Sequence, residues 1–322
     1  MPAGGMSILK IDYIVTPKYI LLALGFFLSG WLITVQDAGA VSKIHHRHRH
    51  HSRATVKENS DVLVLQSFAA LVVDRQTGES LINKNADTIL PIASISKLMT
   101  AIVVLDAGLD LEEPLIIAKE DVDTLRHSGS RLPVGTSLTR RDTLLLALMA
   151  SENRAAHALG RTYPGGMEAF VAAMNNKAVS LGLTGTRFIE PTGLSEGNVS
   201  SAYDLVKMLD AASNYALIRD FSTRELATVQ CGRRLVSFHN TDRLVLNPRW
   251  QIGLSKTGYT GDAGRCLVMQ ARVAERPLAI VLLNSQGKLT RFADANRIRK
   301  WLEKMQFQSK NSYGLLRRNV MM

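Results

Sequence analysis

Residues 266–285, CLVMQARVAERPLAIVLLNS, contain two apolar runs on either side of a short polar segment. Apolar runs of this length that flank a turn predict two neighbouring antiparallel strands. Residues 253–260, GLSKTGYT, predict a third strand just before them. Far earlier in the chain, FAALVVD (68–74) and ESLINKNA (79–86) flank a turn and predict a β-hairpin.

The residues between the hairpin and the C-terminal strands predict helices instead. The simplest packing joins the hairpin to the three late strands in one antiparallel sheet, with helices covering it and a helical cluster inserted in the middle. The fold class is therefore α/β of the α+β kind. No internal repeat is present. The predicted helices cover residues 94–106, 144–150, 166–181, 202–212 and 290–305.

Composition and charge narrow the class of protein. The chain has 322 residues, of which 46% are hydrophobic and 21% charged, which excludes wholesale disorder and a disulfide-dense scaffold. The net charge is +11, and residues 41–60 carry +4 of it and residues 303–322 carry +3. Residues 61–302 show no basic stripe interleaved with aromatics, so we expect no nucleic-acid partner. A carboxylate-rich wall or a membrane surface fits the basic tails better.

Residues 1–40 have the pattern of a secretory signal peptide. Lys10 and Lys18 precede the apolar run at 19–35, and the small residues at 38–40 (AGA) follow it. An uncleaved membrane anchor is the alternative, although the run is at the short limit for crossing a bilayer. We expect cleavage after Ala40 and export of the rest of the chain.

Residues 41–60 predict a polar linker before the catalytic domain at 61–305 and a tail at 306–322. Five histidines in this linker could bind a transition metal, but without a fixed ligand spacing a solvated basic tether is the preferred interpretation. Cys231 and Cys266 could pair after export or lie separately as small buried side chains. We expect no metal and no other cofactor in the site. The five linker histidines are His45, His46, His48, His50 and His51.

The first motif with catalytic potential is SISK at residues 94–97. Ser94 and Lys97 are three positions apart at a predicted helix start, so both side chains share one face. A serine hydroxyl is a poor nucleophile without a base. A lysine can be that base when burial and a second cation lower its pKa.

Two further triplets supply the remaining polar groups. Ser151 and Asn153, within SEN, follow a buried helix and offer a hydroxyl for proton transfer and an amide for a substrate carbonyl. Lys256, Thr257 and Gly258 lie on a predicted strand. They offer the second cation, a hydroxyl for substrate and a glycine that lets a substrate backbone lie close. Each triplet alone matches many unrelated chains, whereas the three in this order form a specific set.

From Ser67 to Trp301 the chain resembles the low-molecular-mass penicillin-binding proteins, the serine D-Ala-D-Ala carboxypeptidase family. The likeness extends beyond the triplets and is strongest to the D-alanyl-D-alanine endopeptidase branch (penicillin-binding protein 7 type). It implies a β-lactamase/transpeptidase-like fold. The segments that carry it are ILPIASISKLMTAIVVLD (89–106), HSGSRLPVG (127–135), LLLALMASENRAAHALGRTYPGG (144–166), RFIEPTGLS (187–195), LSKTGYT (254–260) and GRCLVM (264–269).

The resemblance implies an acyl-serine mechanism. Ser94 attacks the carbonyl after a D-alanine, and Lys97 accepts the serine proton. Ser151 and Lys256 relay a proton to the leaving amine. The backbone N–H groups of Ser94 and Tyr259 form the oxyanion hole, and water then hydrolyses the ester. β-Lactams imitate the D-Ala-D-Ala end and would acylate Ser94.

Other positions refine this expectation. Arg291 matches an arginine near the substrate carboxylate in the carboxypeptidases, with a surface charge at the start of the last helix as the alternative. Ser96 replaces the threonine that often precedes the active-site lysine. Glu152, at the centre of the second triplet, fits the endopeptidase branch. The segment that begins at Glu190 does not form E-x-x-L-N, the deacylation motif of class A β-lactamases, so an antibiotic-destroying enzyme is not expected.

The residues after Gly258 are enough to complete a sheet and a helix, but they are too few for the extra β-rich domain that many carboxypeptidases carry. We therefore expect a periplasmic DD-endopeptidase that cuts D-Ala–diaminopimelate cross-links of peptidoglycan. A D-Ala-D-Ala carboxypeptidase is the alternative. Less favoured than either enzyme is an exported protein that binds penicillin without turnover or that binds metal through the histidines.

Overall fold

The computed structural model describes the backbone of residues 63–320 and the side chains of residues 63–308. Five of its strands form one antiparallel sheet in the order β2-β1-β11-β10-β9. Three short pairs, β3 with β6, β4 with β5 and β7 with β8, lie outside it. The strands are β1 (Ser67–Asp74), β2 (Ser80–Lys84), β3 (Leu90–Pro91), β4 (Pro114–Ile116), β5 (Ser137–Thr139), β6 (Val199–Ser200), β7 (Leu226–Cys231), β8 (Arg234–His239), β9 (Gln251–Thr260), β10 (Gly264–Val273) and β11 (Arg276–Ser285).

Two hydrophobic clusters cover the two faces of the large sheet. Ala69 and Leu71 of β1 belong to one cluster, whereas Ala70 and Val72 belong to the other, as the two-residue alternation of a strand requires. The first six helices pack on one face and the seventh packs on the other. The helices are α1 (Lys97–Asp106), α2 (Arg140–Met149), α3 (Asn153–Arg161), α4 (Gly166–Ser180), α5 (Ala202–Ala212), α6 (Ala216–Thr223) and α7 (Thr290–Val320), and short 3-10 turns cover Ala93–Ser96 and Lys119–Asp121.

The predicted architecture is confirmed: the N-terminal hairpin lies beside β11, and helices cover the sheet. The predicted C-terminal end of the last helix is wrong, because α7 continues past Met305 to Val320. No proline interrupts that segment, so nothing in its sequence forces the helix to end. The signal-like segment 1–40 and the histidine linker 41–60 lie outside the described residues.

Local signals explain where the helices beside the site begin. Thr139 accepts a hydrogen bond from Asp142 N (3.0 Å), which is the N-cap of α2. Ser201 caps α5 in the same way through Asp204 N. Helix α2 is almost wholly buried, and the chain leaves it at Ala150, directly before the second motif. The buried helix therefore fixes where Ser151 emerges.

Sequence patterns missed α3, α6 and the β7–β8 hairpin. These elements are short, with six to nine residues each, and they pack against α2 and β9. In the part of the chain that the structure describes, no helix has the length and apolarity needed to cross a bilayer.

Candidate active site

Ser94 lies in the 3-10 turn Ala93–Ser96, directly before α1. Ala93 has a φ of 48°, a left-handed conformation that costs a non-glycine residue about 1–2 kcal/mol. The turn carries Ser94 to the same side as Lys97, and the Lys97 Nζ lies 2.8 Å from the Ser94 Oγ. The structure therefore places the first pair in direct contact.

Lys97 is completely buried, and its ammonium group meets three oxygen atoms. It donates to Ser94 Oγ (2.8 Å), to Asn153 Oδ1 (2.8 Å) and to the Thr192 carbonyl (2.6 Å). Burial lowers the pKa of Lys97 to about 8, against the opposing charges of Glu190 and Glu152. A substantial neutral fraction near pH 8 is what a lysine base requires.

The second motif meets the third through a lysine–serine pair. Ser151 follows α2 with a φ of 57°. Its Oγ accepts a hydrogen bond from Lys256 Nζ (2.8 Å), which also donates to the Thr257 carbonyl (3.0 Å). Burial, together with the charges of Lys97 and Arg291, lowers the pKa of Lys256 well below its ordinary value. Two pairs, each of a buried lysine and a half-buried serine, thus lie close enough for the lysine charges to interact.

Asn153 connects the lysine base to a neighbouring loop. Its Oδ1 accepts from Lys97, and its Nδ2 donates to Ser128 Oγ (2.9 Å). The Ser128 hydroxyl in turn donates to Asp123 Oδ2 (2.6 Å). Sequence reasoning assigned Asn153 to substrate alone, and it missed Ser128.

On β9, Thr257 Oγ1 donates to Thr241 Oγ1 (2.6 Å). Tyr259 is exposed, and the Arg265 guanidinium lies 4.1 Å from its ring centroid. Gly258 lies against the serine turn, and its predicted role beside a substrate backbone stays a prediction. A Cβ at position 258 would lie 2.9 Å from the Ile92 carbonyl oxygen and 3.1 Å from Ser94 N, so the glycine permits close contact with the serine turn itself.

A second glycine, missed by sequence reasoning, packs on the same turn. Gly193 has a φ of +83°, and a Cβ there would lie 1.9 Å from the Ala93 carbonyl oxygen and 2.7 Å from Ser94 N. The Glu190 carboxylate holds this segment by accepting from Thr192 N (2.6 Å) and Gly193 N (2.6 Å). The EPTG sequence was the available signal, since its acidic side chain can bind the amides that follow it.

Arg291 is only 6% exposed, which excludes the surface-charge interpretation. Its Nε and Nη1 are buried without a hydrogen-bond partner, and its guanidinium lies 4.6 Å from the Phe292 ring centroid. Burial and the charge of Arg265 lower the pKa of Arg291 to about 10. A buried cation with free donors favours an incoming anion such as a carboxylate.

The described residues contain no cluster of three or more His, Cys, Asp or Glu side chains that could hold a metal. Cys231 and Cys266 are both buried and unpaired, so the disulfide alternative is not realised. Burial raises the pKa of the Cys266 thiol to about 11 and keeps it protonated.

Comparison with known proteins identifies the family. A D-alanyl-D-alanine endopeptidase of Pseudomonas aeruginosa is 50% identical over 241 residues, covering 74% of this chain and 78% of that protein. The D-alanyl-D-alanine endopeptidase of Escherichia coli K12 is 47% identical over the same share of each chain. The crystal structure of the Streptomyces K15 DD-transpeptidase superposes with a TM-score of 0.69 at 27% identity, covering 74% of this chain and 97% of that one. The family model of the D-alanyl-D-alanine carboxypeptidases matches residues 54–287, and the chain belongs to that family.

Proposed function

We propose that the chain is a serine DD-endopeptidase that hydrolyses D-Ala–diaminopimelate cross-links of peptidoglycan through an acyl-enzyme. The observation that carries this proposal is the pair of contacts between a buried lysine and a half-buried serine, Lys97 with Ser94 and Lys256 with Ser151, each at 2.8 Å. Two relatives with the endopeptidase name share about half of their aligned residues with this chain.

Acylation begins at Ser94. Lys97 in its neutral form takes the hydroxyl proton while Ser94 Oγ attacks the carbonyl carbon of the D-alanine. The N–H of Ser94 lies in the first turn of a helix, where amides have no partner within the helix. Gly258 brings the strand that carries Tyr259 against that turn. The two N–H groups therefore form the oxyanion hole in our proposal.

Collapse of the tetrahedral intermediate expels the leaving amine. Ser151 and Lys256 relay to this nitrogen the proton that Lys97 took from Ser94. The lowered pKa of Lys256 means that it does not retain this proton. Asn153 and Thr257 bind substrate, and Arg291 binds the carboxylate beside the scissile amide. Water then attacks the ester and regenerates Ser94. β-Lactams would stop at the acyl stage because they imitate the D-Ala-D-Ala end.

Carboxypeptidase activity on terminal D-Ala is the second candidate, since the family profile and several relatives carry that name. Residues 1–40 serve in our proposal as a signal for export to the periplasm. Residues 41–60 then form a basic tether that associates weakly with the polyanionic wall or a membrane surface.

Substitution of the proposed nucleophile and base tests the mechanism. Ser94→Ala should abolish labelling by fluorescent penicillin, and Lys97→Ala should slow acylation roughly 10²- to 10⁴-fold because it removes the base. Ser180→Ala, at an exposed helix end, is the matched control and should acylate normally. Labelling of the Ser94→Ala variant would overturn the assignment of the nucleophile.

A further inference from the structure

A cavity of about 420 Å³ lies beside Ser151. Its wall contains residues 150–153, residues 129–131 of the HSGSRL loop (residues 127–132), and Phe238 of β8. The proposed mechanism gives Ser151 the task of protonating the leaving amine. Space next to Ser151 is therefore space for the part of the substrate that departs.

The HSGSRL loop is held rigidly against this part of the site. The last two residues of the second motif and the arginine that follows them each form a hydrogen bond to an alternate residue of the loop, so that the loop wall has a fixed position relative to Ser151. These bonds join Ser130 Oγ to Glu152 Oε1 (2.5 Å), Asn153 Nδ2 to Ser128 Oγ (2.9 Å) and Arg154 Nη1 to the Leu132 carbonyl (2.7 Å).

Arg131 extends from this loop with its guanidinium already oriented. Its Nη1 donates to the Ser237 carbonyl (2.7 Å), and its guanidinium carbon lies 4.5 Å from the Phe238 ring centroid. The side chain belongs to an exposed residue and forms no salt bridge with any described residue. A guanidinium has five N–H donors, so most of them remain for a ligand.

The size and charge of the leaving group distinguish the two candidate reactions. A carboxypeptidase releases one alanine, whereas cleavage of a cross-link releases a whole second stem peptide. That stem carries further carboxylates beyond the one beside the scissile amide. The planar fork of an arginine matches a carboxylate in two hydrogen bonds.

We propose, resting on the endopeptidase function above, that the cavity beside Ser151 binds the leaving stem peptide and that Arg131 binds one of its carboxylates. Arg131 thereby selects cross-linked substrate over a terminal D-alanine. It acts on binding of the leaving group and takes no part in the attack of Ser94.

Parallel kinetics on three substrates test this assignment: a cross-linked muropeptide dimer, a monomeric pentapeptide and fluorescent penicillin. Arg131→Ala should lower kcat/KM for the dimer about tenfold, the usual effect of losing a charge-assisted hydrogen bond. Arg131→Gln, which keeps a donor for Ser237 but loses the charge, should do the same. Pentapeptide hydrolysis and penicillin acylation should stay unchanged in both variants. Arg234→Ala, an exposed arginine on β8, is the matched control.

A change in the substrate, combined with the Arg131 variants, tests whether Arg131 and the carboxylates of the leaving stem act on each other. A dimer whose leaving stem is amidated at every carboxylate except the one beside the scissile bond should be a poorer substrate for the parent enzyme by the same factor. It should be no worse than the normal dimer for Arg131→Ala. Unchanged dimer cleavage by Arg131→Ala, or an equal loss on all three substrates, would overturn the role of Arg131. A parent enzyme that binds penicillin yet leaves the dimer intact would contradict the endopeptidase function itself.

Discussion

Two lysine side chains, Lys97 and Lys256, are buried side by side in this molecule, which is unfavourable unless the charges are reduced or compensated. Lys97 has oxygen acceptors from three different segments, and two carboxylates nearby favour its charged form. Lys256 has fewer compensating contacts and two cations nearby, which lower its pKa further. Lys97 therefore holds a proton more firmly than Lys256, so in the proposed mechanism Lys97 takes the proton of Ser94 and Lys256 passes it on to Ser151.

Glu190 gives a prediction at the scale of single residues. Its carboxylate accepts from the amides of Thr192 and Gly193, and its charge raises the pKa of Lys97. Glu190→Gln loses one of the two acceptor oxygens and the negative charge together. We expect penicillin acylation to slow roughly tenfold, because the segment that carries the Thr192 carbonyl loosens. We also expect the acid limb of the pH–rate profile, near pH 8 in the parent, to move to lower pH.

The direction of the pH shift follows from charge. Removing an anion near Lys97 favours its neutral form, so the base works at lower pH. Glu196→Gln, an exposed residue of the same loop, is the control and should leave the profile in place. A limb that moves upward would contradict this account of Glu190.

Among the structural elements, β9 can pack against the 3-10 turn at Ala93–Ser96 only because residue 258 is a glycine and has no Cβ. Gly258→Ala would place a Cβ 2.9 Å from the Ile92 carbonyl oxygen, which forces the strand and the turn apart. We expect acylation to fall by more than about tenfold while the fold persists, because small displacements of catalytic groups reduce rates strongly.

Gly253→Ala is the matched control on the same strand. The atom nearest to its added Cβ is the Gln270 carbonyl oxygen at 4.0 Å, an ordinary contact. Acylation rates and thermal unfolding should be measured for both variants. Equal rates in the two variants would show that the contact of Gly258 with the serine turn has no effect on catalysis.

The same elements show what the sequence could predict. The long strands and α5 follow from apolar periodicity, and the three motifs predict which polar side chains meet. The partners of Gly258 and Gly193 could not be predicted, because both glycines touch a turn that lies far away in sequence. The Ser128–Asn153 contact also depends on how two loops pack. Helix α3 was missed because it has only nine residues and because its buried side chains are small apart from Leu159.

On the scale of the whole molecule, the sheet joins the two ends of the domain. Strand β1 pairs with β11, and the Asp294 carboxylate of α7 accepts from Ser67 N (2.7 Å) and Ser67 Oγ (2.7 Å). The helices between these ends supply the first and second motifs, while β9 supplies the third. The active site therefore assembles only when distant parts of the chain have packed.

The basic tether gives a prediction at this scale as well. If residues 41–60 hold the enzyme to a polyanionic wall, their deletion should let it elute from purified wall material at lower salt, since screening weakens such contacts. Cleavage of a soluble muropeptide should not change. Equal retention with and without the segment would reduce it to a solvated linker.

Digestion of purified peptidoglycan, followed by chromatography of the muropeptides, tests the central claim most directly. The account predicts that cross-linked dimers are converted into monomers by the parent enzyme and remain intact with Ser94→Ala. Loss of terminal D-Ala from pentapeptides while the dimers persist would contradict it and would show a carboxypeptidase instead.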